Sequence, residues 1–321
     1  MRRILRMSTA FALTAGIVLS ILSVAAEAQT PVTDEADMKV LSYNIKHGRG
    51  NDACANPPAT PEAIPPMECE VDLERIANVI SASGAEIVGL QEVDRFWARS
   101  GNVDQPTVLA DLLGMQACYG PNLDHEADTH SSEPHQYGTL ILTSHRIIDC
   151  TNVSLTTTEG WEQRGALIAT LDLGDAQPLT VINTHLQAGR EGEEDEAVSQ
   201  RTQQLLEVLE LASTVQGPVV IMGDLNATPD AAEMASILNA DSGFGDAWAM
   251  ANGDAAGLTI PASPDEEPTA RIDYIFVSEG IQVTEATVID TEETRLASDH
   301  FPLLVGIEVI EPAAPVATPV T

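Results

Sequence analysis

Lysine is nearly absent from this sequence of 321 residues, in which only Lys39 and Lys46 occur. The 15 basic residues are outnumbered by 49 acidic residues, and the formal net charge is −34. Binding to nucleic acid or to an anionic membrane depends on clustered Lys and Arg side chains. The composition therefore argues against a protein that holds such partners by bulk electrostatic attraction.

Cysteine is scarce and is not arranged for metal binding. The four cysteines include no CxxC pair, which argues against a structural zinc site. An even number of cysteines in an exported protein is typical of disulfides. The sequence leaves their connectivity open, but a Cys54–Cys69 bond would close the Pro-rich segment between these residues. The second bond would then join Cys118 to Cys150.

Long hydrophobic runs are also missing, apart from one near the N-terminus. Arg2, Arg3 and Arg6 precede an apolar run from Phe11 to Ala26, and small residues follow in "AEA". This order predicts a secretory signal peptide over residues 1–28. The run is shorter than the roughly 20 residues that span a bilayer, so an uncleaved anchor is the weaker alternative. We therefore predict a monomer, exported to the periplasm or the extracellular space, without stable membrane insertion.

The segment 38–309 is predicted to be one α/β domain. Residues 72–84 and 193–213 show helical periodicity, whereas runs such as "YGTLILTS" and "LTVINTHLQ" are typical of strands. No internal repeat or long linker divides the segment. Residues 310–321 are rich in Pro and Ala, and we predict a disordered tail there.

Polar side chains stand beside the ends of several apolar runs. The segment "PVVIMGDLN" passes from a strand-like run through Gly223 to Asp224 and Asn226. Taken alone, each such residue is a common turn or strand-end residue. Because ligand sites of α/β sheets lie beyond the strand ends, we expect these side chains to meet at one rim. The others placed in this way are Asn44, Glu92, Asn183, His185, Asp273, Asp299 and His300.

The chemistry of this set favours a hard divalent cation. Carboxylate and amide oxygens suit Mg²⁺, Mn²⁺ or Ca²⁺, and no thiolate accompanies them. Mg²⁺ is typically held by one or two carboxylates and completed by substrate phosphate. The sequence therefore predicts a metal-dependent hydrolase of phosphate esters.

Seven short motifs follow one another in the order found in a known superfamily. They are "SYNI", "LQEVD", "YGTLILTSHRI", "NTHLQA", "GDLNATPD", "RIDYIFVS" and "SDHFPL", spread over residues 38–309. A single match is weak, but the ordered set is specific. The chain thus resembles the endonuclease/exonuclease/phosphatase superfamily of metal-dependent phosphoesterases. The resemblance implies an α/β fold, a four-layer α-β-β-α sandwich of two packed mixed β-sheets flanked by helices.

The resemblance also implies a metal site on this chain. Glu92 would be the principal ligand, with Asn44 beside it and Asp299 completing or bridging the ion. The expected cofactor is Mg²⁺, with Mn²⁺ or Ca²⁺ as alternatives.

The same resemblance assigns catalytic roles to five residues. Asp224 and Asn226 would orient the attacking water and the phosphate, with Asp224 as a candidate base. Asp273 would hold the imidazole of His300 toward a phosphoryl oxygen. His185 would stabilise the developing charge or protonate the leaving oxygen.

The substrate stays open, because the superfamily includes deoxyribonucleases, abasic-site endonucleases, sphingomyelinases and inositol polyphosphate phosphatases. We expect a phosphodiesterase whose substrate is a small molecule or nucleic acid, and the acidic composition favours the smaller compounds. Alternatives are a phosphomonoesterase and a sphingomyelinase-like hydrolase of lipid headgroups, although the aromatic content of 4% offers no membrane hairpin. A non-catalytic binding module is a further alternative, but no principal catalytic residue is missing.

Several basic residues are close in sequence to the motif residues. They could form a cationic mouth that concentrates a small anionic substrate. Equally, they could pair with neighbouring acidic side chains. The residues in question are Lys39, Lys46, Arg49, Arg95, Arg99, Arg190, Arg271 and Arg295.

Overall fold

The computed structural model describes residues 37–51, 71–127, 133–174 and 176–310. The predicted signal peptide, Cys54 with Cys69, and the predicted tail after residue 310 lie outside these ranges. Within them, no helix combines the length and the apolar character that crossing a bilayer requires.

Two mixed sheets of six strands each form the centre of the fold, as predicted. The first sheet has the order β11-β12-β1-β2-β4-β3, and the second has the order β5-β6-β7-β8-β10-β9. In chain order the strands are β1 (Met38–Asn44), β2 (Ile87–Arg95), β3 (Gln116–His125), β4 (His135–Thr143), β5 (Arg146–Ser154), β6 (Gly165–Asp172), β7 (Leu179–His185), β8 (Val219–Asp224), β9 (Phe244–Asp246), β10 (Asp273–Ser278), β11 (Ile281–Val288) and β12 (Leu303–Val309).

Each sheet contains one parallel pair, β1 with β2 and β7 with β8. A parallel pair needs a crossover, and helices supply both crossovers here. The helix α1 connects the first pair and α3 the second. In chain order the helices are α1 (Leu73–Ser83), α2 (Gln105–Leu113), α3 (Glu194–Ser213), α4 (Ala235–Leu238), α5 (Ala247–Asn252) and α6 (Glu292–Ala297).

Helix α1 begins and ends on the residue types that its sequence predicts. The Asp72 carboxylate accepts a hydrogen bond from the backbone N–H of Arg75 and caps the N-terminus. Gly84 ends the helix in the left-handed region at φ 71°. Ile76 and Ile80 are fully buried and belong to the core between this helix and the first sheet.

Three apolar layers separate the four layers of secondary structure. Val220 belongs to the core between the two sheets, whereas its neighbour Ile221 faces the layer that contains Leu205 and Val208 of α3. Successive residues of a strand point to opposite faces, so a strand buried on both sides is apolar throughout. Helices α1 and α2 cover the outer face of the first sheet in the same way. The predicted α-β-β-α sandwich is therefore confirmed.

Strand β3 is the longest of the elements that the sequence pattern did not predict, which also include β9, α4, α5 and α6. Its residues "QACYGPNLDH" include Gly and Pro, which are depleted in strands. The strand lies at an edge of the first sheet, and its register shifts between Pro121 and Leu123. Proline is tolerated at edges and bulges because no ladder hydrogen bond is lost there.

A disulfide joins the edges of the two sheets. Cys118 of β3 is bonded to Cys150 of β5, and the two residues are separated by 32 positions. This confirms the second of the two predicted pairs. The bond holds together two edge strands that belong to different sheets.

We expect removal of this bond to destabilise the domain without changing its fold. The double substitution Cys118→Ala/Cys150→Ala should lower the free energy of unfolding by about 3 kcal/mol, because the unfolded chain regains the entropy that a loop of this size had lost. Urea denaturation followed by circular dichroism measures the change. An unchanged midpoint and slope would show that the bond does not constrain the chain.

Candidate active site

Backbone pairing places three of the predicted residues side by side. His185 at the end of β7 is paired with Asp224 at the end of β8. Asp224 is paired in turn with Asp273, which begins the antiparallel strand β10. The register of the second sheet therefore forms one row of functional side chains, all three buried.

Asn44 connects this row to the first sheet. Its amide nitrogen donates to Glu92 Oε1 at 3.1 Å and to Asp224 Oδ2 at 3.0 Å. The side chain is fully buried. Asn44 stands at the end of β1 and Glu92 in β2, so the ends of both sheets contribute to one site.

Glu92 is directed into the site by an irregularity in its strand. The register between β2 and β4 shifts between Leu90 and Val93, and Glu92 has φ 57°. Bulges turn a side chain away from the regular alternation and are frequent beside active sites. The Glu92 carboxylate is about a quarter exposed, at 23%, so an ion or substrate could reach it.

His300 is held between two carboxylates. Its Nδ1 atom donates to Asp273 Oδ2 at 2.9 Å, and its Nε2 atom is 3.7 Å from Asp224 Oδ2. Burial by itself lowers the pKa of His300, but the Asp273 and Asp224 carboxylates outweigh it and raise the pKa to about 10. Burial raises the pKa of Asp224 to about 7, and the Asp273 charge adds to that effect.

His185 is neutral, in contrast to His300. Burial, assisted by the Arg164 guanidinium, lowers the pKa of His185 well below its ordinary value. A guanidinium can only donate, so the Nδ1 atom that lies 3.0 Å from Arg164 Nη1 must accept. The ring proton is therefore on Nε2, which lies 3.4 Å from its acceptor, Asp224 Oδ2. The Asn226 amide nitrogen lies 3.0 Å from the same ring atom, and this nitrogen donates to the Leu186 carbonyl oxygen at 3.1 Å.

Asp299 lies at the more open side of the site. Its carboxylate is 39% exposed, and Oδ2 is 3.1 Å from Lys46 Nζ. The backbone N–H of Lys46 donates to Asn44 Oδ1 at 3.1 Å. These contacts bring the last predicted residue into the network, and all eight side chains assigned from the resemblance are joined by it.

Asn183 does not belong to this network, although it also stands near a strand end. Its side chain lies between the sheets and donates to the carbonyl oxygens of Leu90 and Leu140 at 2.9 and 3.0 Å. It also accepts from Gln91 at 2.7 Å. Asn183 therefore has a structural role: it lies on the same strand face as His185, but two residues before the strand end, so its side chain is enclosed between the sheets.

The donor chemistry of the site fits a divalent cation. Four carboxylates meet there, whereas Lys46 and His300 are the positive groups that contact them. Among the described residues, one group of three ionisable ligands has its atoms within 4.8 Å of one another. In addition to the larger effect of burial, the Asp273 charge contributes to the raised pKa of Asp224. The three residues are Asp224, Asp273 and His300, and none of them is among the metal ligands that the resemblance implies.

The nearby basic residues form ion pairs instead of a free cationic mouth. Seven of the eight lie within 4.0 Å of an acidic side chain. Bidentate contacts occur between Arg271 and Asp246 and between Arg99 and Asp94. The pairs are Lys39–Glu285, Lys46–Asp299, Arg95–Asp104, Arg99–Asp94, Arg190–Glu193, Arg271–Asp246 and Arg295–Asp290.

Two residues contact the site that the sequence did not assign to it. Arg164 is 4% exposed and touches His185. His47 is mostly buried, and its Nε2 atom is 3.2 Å from Glu92 Oε2. Arg164 had one weak signal, because it directly precedes the apolar run of β6. His47 follows Asn44 by three residues in a loop, and only the fold brings it to Glu92.

One known family resembles most of this chain. A model of the Endonuclease/Exonuclease/phosphatase family matches residues 41–300. No curated protein matches the chain significantly.

Solved structures of similar fold come from several organisms. An endonuclease/exonuclease/phosphatase from Beutenbergia cavernae is 26% identical with a TM-score of 0.67, over 87% of this chain and 73% of that one. A mannosyl-6-phosphatase from Bacteroides thetaiotaomicron is 18% identical with a TM-score of 0.60, over 85% and 100%. TDP2 from C. elegans is 18% identical with a TM-score of 0.57, over 84% and 75%.

Proposed function

Because the chain belongs to the endonuclease/exonuclease/phosphatase family of metal-dependent phosphoesterases, we propose that it is a divalent-metal-dependent phosphodiesterase. The observation that carries this proposal is the single contact network joining Asn44, Glu92, Asp224, His185 and His300. A reacting phosphate at this position would meet carboxylates, one cationic imidazole and one neutral imidazole within a few ångströms.

The side chains that would hold the metal are Glu92, Asn44 and Asp299. A bound Mg²⁺ supplies charge that stabilises the phosphoryl oxygens and the leaving oxygen. Glu92 is kept in place by the Asn44 amide, so its carboxylate does not need to reorganise when a cation arrives. Asp299 would have to give up its contact with Lys46 to hold the metal, and its side chain is the more exposed of the two carboxylates proposed as ligands.

The remaining residues act on the water and the phosphoryl group. Asp224 accepts the proton of the attacking water, and Asn226 orients the phosphate beside it. His300, held by Asp273, donates from Nε2 to a phosphoryl oxygen. His185 donates from its neutral Nε2–H to the developing charge, and its low pKa favours this role over protonating the leaving oxygen.

The ion pairs around the site favour small phosphate compounds as substrates. A nucleic acid binds along a track of free cationic side chains, whereas seven of the basic residues near this site face acidic partners. The same observation supports a second candidate function, hydrolysis of small phosphomonoesters. Both functions use the same metal and the same in-line attack.

One substrate panel separates these candidates. Purified protein is incubated with bis-p-nitrophenyl phosphate, p-nitrophenyl phosphate, plasmid DNA, RNA and sphingomyelin, each with Mg²⁺, Mn²⁺, Ca²⁺ or EDTA. We expect metal-dependent release of nitrophenol from the diester and no release with EDTA. Faster turnover of the monoester would favour the second candidate, and nicking of the plasmid would favour a nuclease. Inactivity on the whole panel would contradict the proposed function.

We further propose that the protein is exported. The Cys118–Cys150 disulfide supports this, because structural disulfides persist in oxidising compartments. Mass spectrometry of the protein from its native host should find an N-terminus near residue 29, after removal of residues 1–28. A native N-terminus at Met1 would contradict the proposal.

A further inference from the structure

We propose that His47 is a positioning residue that orients the Glu92 carboxylate for metal binding, an inference that rests on the proposed function. The Nε2 atom of His47 is 3.2 Å from Glu92 Oε2. Asn44 donates to the other oxygen, Oε1, at 3.1 Å. Each oxygen of the Glu92 carboxylate thus has its own partner, and together the two partners fix the rotation of the carboxylate.

The backbone around His47 is anchored by a buried glutamine. Gln105, at the first position of α2, is fully buried and donates from Nε2 to the His47 carbonyl oxygen at 2.6 Å. The Gln105 side-chain oxygen accepts from the backbone N–H of Asp94 at 2.9 Å. One side chain therefore ties the loop that contains His47 to the strand that contains Glu92.

The imidazole ring is enclosed on its other sides as well. Its Nδ1 atom lies 3.7 Å from Oδ1 of Asp94, which is fully buried. Arg99 neutralises Asp94 through two hydrogen bonds of 2.8 and 2.7 Å. The ring of Tyr137 packs at a centroid distance of 5.7 Å. His47 consequently has little freedom to turn away from Glu92.

Backbone strain is concentrated at the same place. Three residues here have φ angles in the left-handed region, which residues other than glycine rarely adopt. They are Lys46 (46°), His47 (57°) and Glu92 (57°). Such conformations persist only where the surrounding structure imposes them, and they are frequent at ligand sites. Here they bring the His47 imidazole, in the turn after β1, within 3.2 Å of the Glu92 carboxylate in β2.

The contact between His47 and Glu92 should act through the metal ligand. Hydrogen-bonding partners behind a metal ligand typically change metal affinity by about 10-fold to 100-fold when they are removed. His47 stands behind Glu92 in this sense. We therefore expect the protein with His47 to bind the metal more tightly than a variant without it. We expect His47 to have little direct effect on the reacting phosphate.

Direct metal binding tests this proposal. His47→Phe keeps a ring beside Tyr137 but removes the nitrogen that faces Glu92. We expect Mg²⁺ binding, measured by calorimetry without substrate, to weaken about 10-fold or more. The Mg²⁺ concentration for half-maximal hydrolysis should rise in parallel, and kcat at saturating Mg²⁺ should change much less. His47→Gln should restore part of the affinity, because its amide can still donate to Glu92.

The matched control is His145→Phe. His145 also faces a glutamate, with Nε2 at 3.4 Å from Glu86 Oε2, but this pair lies at the opposite end of β2. The control should bind Mg²⁺ as the wild type does, and thermal unfolding checks that all variants are folded. Equal Mg²⁺ affinity of wild type and folded His47→Phe would overturn the proposal for His47. Absence of Mg²⁺ binding in the wild type would instead overturn the proposed function.

Discussion

Glu92→Gln should lower kcat by about 10²-fold or more, within the range expected for the loss of a metal ligand. The substitution keeps the size of the side chain and its contact with Asn44 but removes the negative charge. His47 and Asn44 each contact one oxygen of the Glu92 carboxylate and hold it in place. The side chain is still partly exposed, so a cation could reach its negative charge. Initial rates on the best ester of the panel, over a range of Mg²⁺ concentrations, measure the effect.

The control for this variant is Glu86→Gln. Glu86 precedes the same strand, pairs with His145 and is exposed. Its substitution removes the same charge without touching the site, and kcat should stay near the wild-type value. If Glu92→Gln retained the wild-type rate while folded, Glu92 would not be the principal metal ligand.

His300→Ala should also lower kcat by about 10²-fold or more, the range for removing a side chain that exchanges or shares protons with the reacting group. The imidazole is charged because two carboxylates raise its pKa to about 10. Among the residues that the structure describes, it is the one cationic side chain beside Asp224, at 3.7 Å. Loss of that charge should slow the reaction more than it weakens substrate binding, so kcat and KM are measured separately.

A double substitution distinguishes the role of Asp273 from that of His300. If Asp273 acts only by orienting His300 through their 2.9 Å hydrogen bond, Asp273→Asn should have little further effect in the His300→Ala background. Groups that act as one unit are non-additive in this way. Two independent, multiplicative losses would show that Asp273 contacts the reaction directly. His145→Ala is the surface control and should leave kcat unchanged.

The sequence predicted the architecture because its patterns are local. The strand β8 is apolar on both faces and ends at Asp224, and such a run signals a buried strand whichever partner it finds. Strand β3 escaped prediction, since Gly120 and Pro121 weaken the local pattern and the pairing with β4 outweighs it. Helix α1 was predictable at both ends, because Asp72 and Gly84 are local signals.

The sequence predicted most of the residues that come together at the site, but not how each of them is placed. Strand ends and the ordered motifs pointed to Asn44, Glu92 and Asp224, yet the same reasoning also selected Asn183, which the fold turns inward. Asn183 and His185 lie on the same face of β7, and the facing sheet encloses Asn183 but not the strand end at His185. How far the facing sheet extends is settled by pairing between distant segments.

The sequence by itself determined the fold class, the family and the residue types that meet at the site, because all three follow from hydrophobic periodicity and ordered motifs along the chain. Only the tertiary structure decided the charge states of the buried histidines and the acidic partners of the basic side chains. His185 and His300 are both buried histidines, but burial and the Arg164 charge lower the pKa of His185, whereas the Asp273 and Asp224 carboxylates raise the pKa of His300. The pairing of seven basic residues with acids likewise depends on side-chain distances, which no local pattern contains.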